Sequence, residues 1–224
     1  MTGLEQQGNG AGGICIFDEP TNWDSLREYL GGLGVVEKAR IFAAGADGWN
    51  NACLNYGGSN YEAMCIGYFR AADELSARVI RECRGQDTLI FPIAFLYRHY
   101  VELRLKQAIA FGQRLVGDEI LVPNDHRLIN LWHIAKRLLE RIEPEASKTG
   151  LKEPESLIKE IDKIDPEAVA FRYSRDKKGR NPLKSLTHIN VRVMRDEMTK
   201  LTDFFEGVSS MLDDYMQHVL DSES

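Results

Sequence analysis

The sequence predicts an all-α fold, an antiparallel helical bundle, and three observations carry that expectation. Apolar residues recur at helical spacing over several long stretches of the 224-residue chain. Clusters of Gly, Asn, Asp and Pro interrupt those stretches where helices need stops and caps. Four of the stretches are long enough to pack lengthwise against one another, with neither an internal repeat nor a sustained heptad to suggest a solenoid or coiled coil.

Residues 1–13 are polar and glycine-rich and read as a disordered tail. Gly8, Gly10 and Gly13 match GxGxxG in form, but no strand precedes them and no helix follows directly. An N-terminal helical extension packed on the bundle is expected over 14–60. It would hold a short helix at 23–30 (WDSLREYL), a break at GGLG and a second helix over 35–55. YGGSN ends that helix, with Ser59 or Asn60 as the cap of the next.

The bundle itself is placed at 61–224. Its first helix runs over 61–84 and carries Tyr61, Met64, Cys65, Tyr68, Ala72, Leu75 and Val79 as a stripe. RGQD is a turn with Asp87 as N-cap, and a long helix follows over 88–115 with Pro92 in its first turn. Further helices are expected at 126–143, 153–164 and 188–220. A basic loop or short hairpin, with a turn at DKKG, precedes the last one.

The composition is that of an ordinary globular protein, 43% hydrophobic and 28% charged, with enough apolar material for a core that needs no staple. Net charge is −6, which argues against a protein coated uniformly in nucleic acid. Cys15, Cys53, Cys65 and Cys83 form no CxxC pair and suit neither zinc nor a disulfide framework. They read as buried or half-buried free thiols in a reducing compartment. The longest apolar run, Leu89 to Tyr97, is about half the roughly 18 residues a membrane helix needs. A cytoplasmic protein with no membrane, metal or cofactor requirement is expected.

The helix over 88–115 poses the main question, because an otherwise apolar segment carries Arg98, His99, Glu102 and Lys106. At about 100° per residue these four fall in one arc of roughly 100°. Arg104 and Gln107 lie outside it. One account is a solvent-edge ladder of i,i+4 pairs worth a few tenths of a kcal/mol each. The other is a partly buried network in which Glu102 fixes Arg98 while His99 faces a cleft or a second subunit.

Charge is unevenly spread. Residues 171–195 hold eight basic residues against Asp176 alone, a balance of +7, which leaves −13 for the remainder of the chain. Arg172, Tyr173, Arg175, Lys177, Lys178, Arg180 and Lys184 are the candidates for nucleic-acid contact, with Phe171 and Tyr173 able to stack on a base. An acidic partner or an acidic face of a second copy would serve the same charge.

Three blocks occur in order: FPIAFLYRHYVELRLKQAI, then HRLINLWHIAKRLLE, then IDPEAVAFRYSRDKKGR. Together they resemble a group of bacterial HEPN-like proteins, over roughly residues 61–215. The resemblance implies an antiparallel bundle that dimerises. Many such domains are metal-independent ribonucleases of toxin–antitoxin and antiphage systems, and others are inactive interaction or scaffold modules. It also implies a catalytic Arg, followed by a polar residue, with a His four to six positions on. The His moves protons at the 2′-hydroxyl and the leaving oxygen, and the Arg stabilises charge on phosphate. Arg127 and His133 have the spacing, but Leu128 stands where a polar residue is usual, and on a regular helix the two diverge. Arg180–Asn181 has the polar follower, with His188 at one position too many. Arg98–His99, with Glu102, lacks a second histidine at the required distance. Two functions are therefore expected. One is a homodimeric ribonuclease acting on RNA in a defence or toxin-type system, and the other a non-catalytic module that dimerises or binds a partner protein of a defence operon.

Overall fold

The computed structural model describes residues 41–46, 48–54, 60–145 and 150–223. The chain divides into two units, Met1–Cys53 and Leu54–Ser224. In the smaller unit the helix expected over 35–55 does not run through the described residues, which form turns and a short 3-10 turn at Gly48–Asn50. The reason is local. The Asn51 side chain accepts from the Gly45 N–H at 2.8 Å and donates to the Gly45 carbonyl at 2.9 Å, closing a loop that competes with helical pairing. The expected tail and the helix at 23–30 lie outside the described residues.

Five α-helices make up the described part of the larger unit, with no strand among the described residues: α1 (Tyr61–Glu82), α2 (Gln86–Leu115), α3 (Leu128–Ile142), α4 (Lys152–Ile164) and α5 (Val191–Glu223). The all-α helical bundle is as expected. The segment between α4 and α5 is a loop, not a hairpin, and its turn sits at DKKG: Gly179 adopts φ +75° and its N–H returns to the Asp176 carbonyl at 2.9 Å.

α2 is the central element and packs against α1, α3 and α5, while α4 packs on α3 and α5. Its core residues Ile93, Tyr97, Tyr100, Val101, Leu105 and Ile109 are buried, and they meet Trp132 and Leu131 of α3 and Leu201 and Phe205 of α5. A three-residue link, Cys83–Gly85, joins α1 to α2, short enough to turn the chain straight back. Gly85 at φ +80°, not Asp87, is the N-cap of α2. The helix starts earlier than the capping residue suggests, so Pro92 falls in the second turn. Cys83 is an exposed left-handed C-cap and Cys53 is exposed as well, while Cys65 alone among the described cysteines is buried.

Arg104 and Gln107, the polar residues on the far side of α2, hold α1 in place. Arg104 grips Glu62 with two bonds at 2.7 and 2.9 Å, and Gln107 adds a third at 2.9 Å. α1 is tied to α5 by Asp73, whose carboxylate meets Arg195 at 2.6 and 3.0 Å.

α3 receives its N-terminal cap from another helix. Asp162 of α4 is buried and accepts from the Ile129 N–H at 3.3 Å and from Arg127 Nη2 at 2.8 Å. Asp162→Ala is expected to destabilise the protein by about 1–3 kcal/mol, because a helix-end donor and a cation lose their acceptor together. Urea denaturation measures it, and an unchanged midpoint would rule the cap out as a stabilising feature.

Candidate functional site

The three sequence blocks meet at one buried knot of charge. Arg98 is 2% exposed and spreads its guanidinium three ways. Nη1 donates to Glu102 Oε2 at 2.8 Å, Nε to the Asp165 carbonyl at 3.1 Å, and Nη2 to the His126 carbonyl. Block one thus supplies the cation, block two the chain leading into α3, and block three the turn that ends α4. Of the two accounts of the α2 stripe, the buried pairing in which Glu102 fixes Arg98 is the observed one.

Asp165 organises its own turn. Its Oδ1 accepts from the N–H groups of Val169 and Ala170 at 2.8 and 2.9 Å, and Oδ2 lies 3.6 Å from Arg98 Nε. Inside this turn Ala168 takes φ +57°, a left-handed conformation disfavoured for a residue with a Cβ. The ring of bonds around Asp165 holds it there.

Glu102 is the centre of the knot. Its Oε1 receives Lys106 Nζ at 2.9 Å and lies 2.9 Å from His126 Nδ1. Burial pushes the Glu102 carboxyl up, but hydrogen bonds from Lys106, Arg98 and His126 outweigh burial and hold it below its ordinary value. The His126 side chain is 60% exposed. Nδ1 is engaged by a buried carboxylate while most of the ring faces solvent.

His99 stands beside the same carboxylate. Burial pushes its ring below the usual histidine value; Glu102 opposes that shift, and Arg98, Lys106 and Arg172 reinforce it. The ring is held edge-on by Tyr68, with centroids 4.5 Å apart, and stacks on Phe95 at 5.9 Å. Arg172 continues the row, lying over Phe95 at 5.7 Å and over Tyr173 at 5.1 Å. One buried carboxylate therefore holds Arg98, Lys106 and His126 by hydrogen bonds, with His99 three residues before it on the same helix.

The other candidate pairs are not drawn together by any contact. Arg127 caps α3 in an extended conformation and pairs with Asp162, while His133 is exposed one turn into the helix. Arg180 is clasped to Asp176 within the DKKG turn, at 2.7 Å, and does not line the cavities that His188 lines. In the basic loop Arg172, Tyr173, Arg175, Lys177, Lys178 and Lys184 are exposed. Arg195, counted in the same island, is committed to Asp73.

His126 and Asp165 are the members that sequence reasoning did not select. Both stand inside the quoted blocks, but they lie 24 residues from Glu102 and 67 residues from Arg98, and no helical spacing connects such positions. Among the described residues no group of three or more His, Cys, Asp or Glu side chains gathers as metal ligands, and no helix is long and apolar enough to cross a membrane. No family model, no curated protein and no solved structure matches the chain.

Proposed function

We propose that this chain is a HEPN-like, metal-independent endoribonuclease that acts on RNA as a homodimer in the cytoplasm, within a bacterial defence or toxin-type system. The observation that supports it is that His126 bonds Glu102 at 2.9 Å while His99, three residues before Glu102 on α2, feels the charge of that carboxylate and of Lys106 and Arg172. RNA cleavage by internal transfer needs a base to take the 2′-hydroxyl proton and an acid to protonate the departing O5′. The O2′–P bond forms, the P–O5′ bond breaks, and a 2′,3′-cyclic phosphate is left. The two histidines supply the proton pair, and the two cations stabilise charge on the phosphate. Arg98 acts at one remove, by fixing Glu102 and so the direction in which His126 points.

The test is cleavage of a single-stranded RNA in the presence of excess chelator. Product ending in a cyclic phosphate, formed by the wild type and not by His126→Ala, is the expected result. Cleavage that survives His126→Ala unchanged would reject the site.

A second reading, a non-catalytic module that dimerises or binds a partner protein, is favoured by one feature. Arg98 sends Nε, Nη1 and Nη2 into its own chain, so the arginine most suggestive of catalysis serves structure. Absence of cleavage from a protein that is dimeric in solution would favour this reading.

A further inference from the structure

Two cavities lie on either side of a wall made by Phe171, Leu186, His188 and Ile189. The smaller, about 360 Å³, is bounded by Ile161, Ile164, Val193 and Met194 and carries Glu160 and Glu197 among its polar lining residues. The larger, about 850 Å³, is lined by Phe91, Arg172 and Tyr173. Phe91 and Tyr173 are 45% and 56% exposed, and Arg172 lies over the Tyr173 ring at 5.1 Å, so an aromatic surface flanked by a cation faces solvent there. The exposed cations Arg175, Lys177, Lys178 and Lys184 belong to the same loop as this wall.

We infer that the smaller cavity seats one unstacked base of single-stranded RNA, guanine in preference to the other three, while the larger takes the adjoining base on Tyr173 and Phe91. The inference rests on the RNA reading above and names the substrate that reading leaves open. A base is flat and apolar on its faces and polar at its edge, and the smaller cavity has apolar walls with hydrogen-bonding groups beside them. The groups available there choose the base. Asn190 spends its side-chain oxygen on the first turn of α5, accepting from the Arg192 and Val193 N–H groups at 3.0 and 3.2 Å. Glu197 is paired with Lys200 at 2.9 Å. Among the described residues Glu160 has no ion-pair or hydrogen-bond partner, and it is exposed, so its carboxylate is available to read an edge. Guanine alone presents two adjacent donors, N1–H and N2–H, that match the two oxygens of a carboxylate. Uracil offers one ring N–H, and adenine and cytosine an amino group next to an acceptor. Stacking on the exposed rings tolerates any base, so the aromatic cavity supplies affinity and the glutamate supplies choice.

The test is fluorescence anisotropy with oligouridines of about 12 nucleotides, a length within the usual single-strand site size. They carry one central G, A, C or inosine, with 2′-fluoro sugars that block cleavage. The G-containing strand is expected to bind about tenfold tighter than uridine alone, with inosine between them, and a duplex of the same sequence to bind far more weakly. Glu160→Gln removes the preference for G over uridine. Tyr173→Ala weakens every strand by about tenfold. Equal binding of G and U, a G preference that survives Glu160→Gln, or a duplex bound as tightly as a single strand overturns the inference. Cleavage of unmodified RNA, measured in parallel, separates the two proposals. If RNA is cut but G is not preferred, the base seat fails and the nuclease stands. If G-selective binding occurs without cleavage, the seat stands and the nuclease fails. A protein that neither binds nor cuts RNA removes both.

Discussion

Replacing Glu102 with alanine is expected to lower the unfolding free energy at neutral pH by about 3–5 kcal/mol. The change leaves Arg98 buried at 2% exposure without the carboxylate that neutralises it, and it strands Lys106, whose side chain is 17% exposed. The sign of the pH dependence follows from the carboxyl itself. Hydrogen bonds hold it below its ordinary value of 4.5 in the folded protein despite the upward push of burial. A group depressed on folding contributes stability that is present above its unfolded value and is lost as pH falls through the folded one. The wild type should therefore lose stability on the acid side of about pH 4.5, and the variant should lose this part of the dependence. Urea titrations at pH 7 and in mild acid measure both effects. A difference at pH 7 under about 1 kcal/mol, the range of an exposed ion pair, would show that the knot is not a major tie.

His126→Ala should produce the opposite division of effects. Its side chain is mostly exposed and its removal leaves Glu102 with Arg98 and Lys106, so the fold should persist. The cleavage rate should fall by about 10²–10⁴-fold, the usual contribution of a positioned proton-transfer group. His99 adds a pH signature. Burial lowers its value below 6.5, so the ring stays neutral to more acid pH than an exposed histidine. The acid limb of the wild-type rate profile should therefore lie below pH 6.5, and His99→Ala should remove that limb. A limb at or above 6.5 would take His99 out of the mechanism.

The helices were legible because burial leaves a periodic record. The stripes on α1, α2 and α5 follow a 3.6-residue repeat, and the breaks at Arg84–Asp87 and Val122–Asp125 carry turn and capping residues. Boundaries moved where backbone conformation, not side-chain capping, decided them, as at Gly85. In the smaller unit the helix expected over 35–55 gives way, in the described residues, to a loop in which one asparagine bonds across six residues. The four charges of α2 announced themselves by geometry within the helix, and Glu102 was correctly placed between Arg98 and Lys106. What completes the site comes from outside the helix. The pairing of His126 with Glu102, and of Asp165 with Arg98, depends on how α3 and α4 approach, and a linear pattern holds no trace of it.

The charge knot also bears on how the chain reaches this arrangement. An apolar core rewards many approximate alignments of the same helices almost equally, because oil-like contacts are indifferent to small slides. Three bonds from one guanidinium to residues 4, 28 and 67 positions away are satisfied in a single alignment. Any slid assembly of α2, α3 and α4 would leave the desolvated arginine with Glu102 alone and without its two backbone acceptors, a penalty for a misregistered bundle. The bonds to His126 and Asp165 close long loops, so they form only after the chain has largely collapsed. Arg98 thus works as a late proofreading step of folding, rejecting near-native packings that hydrophobicity alone would accept.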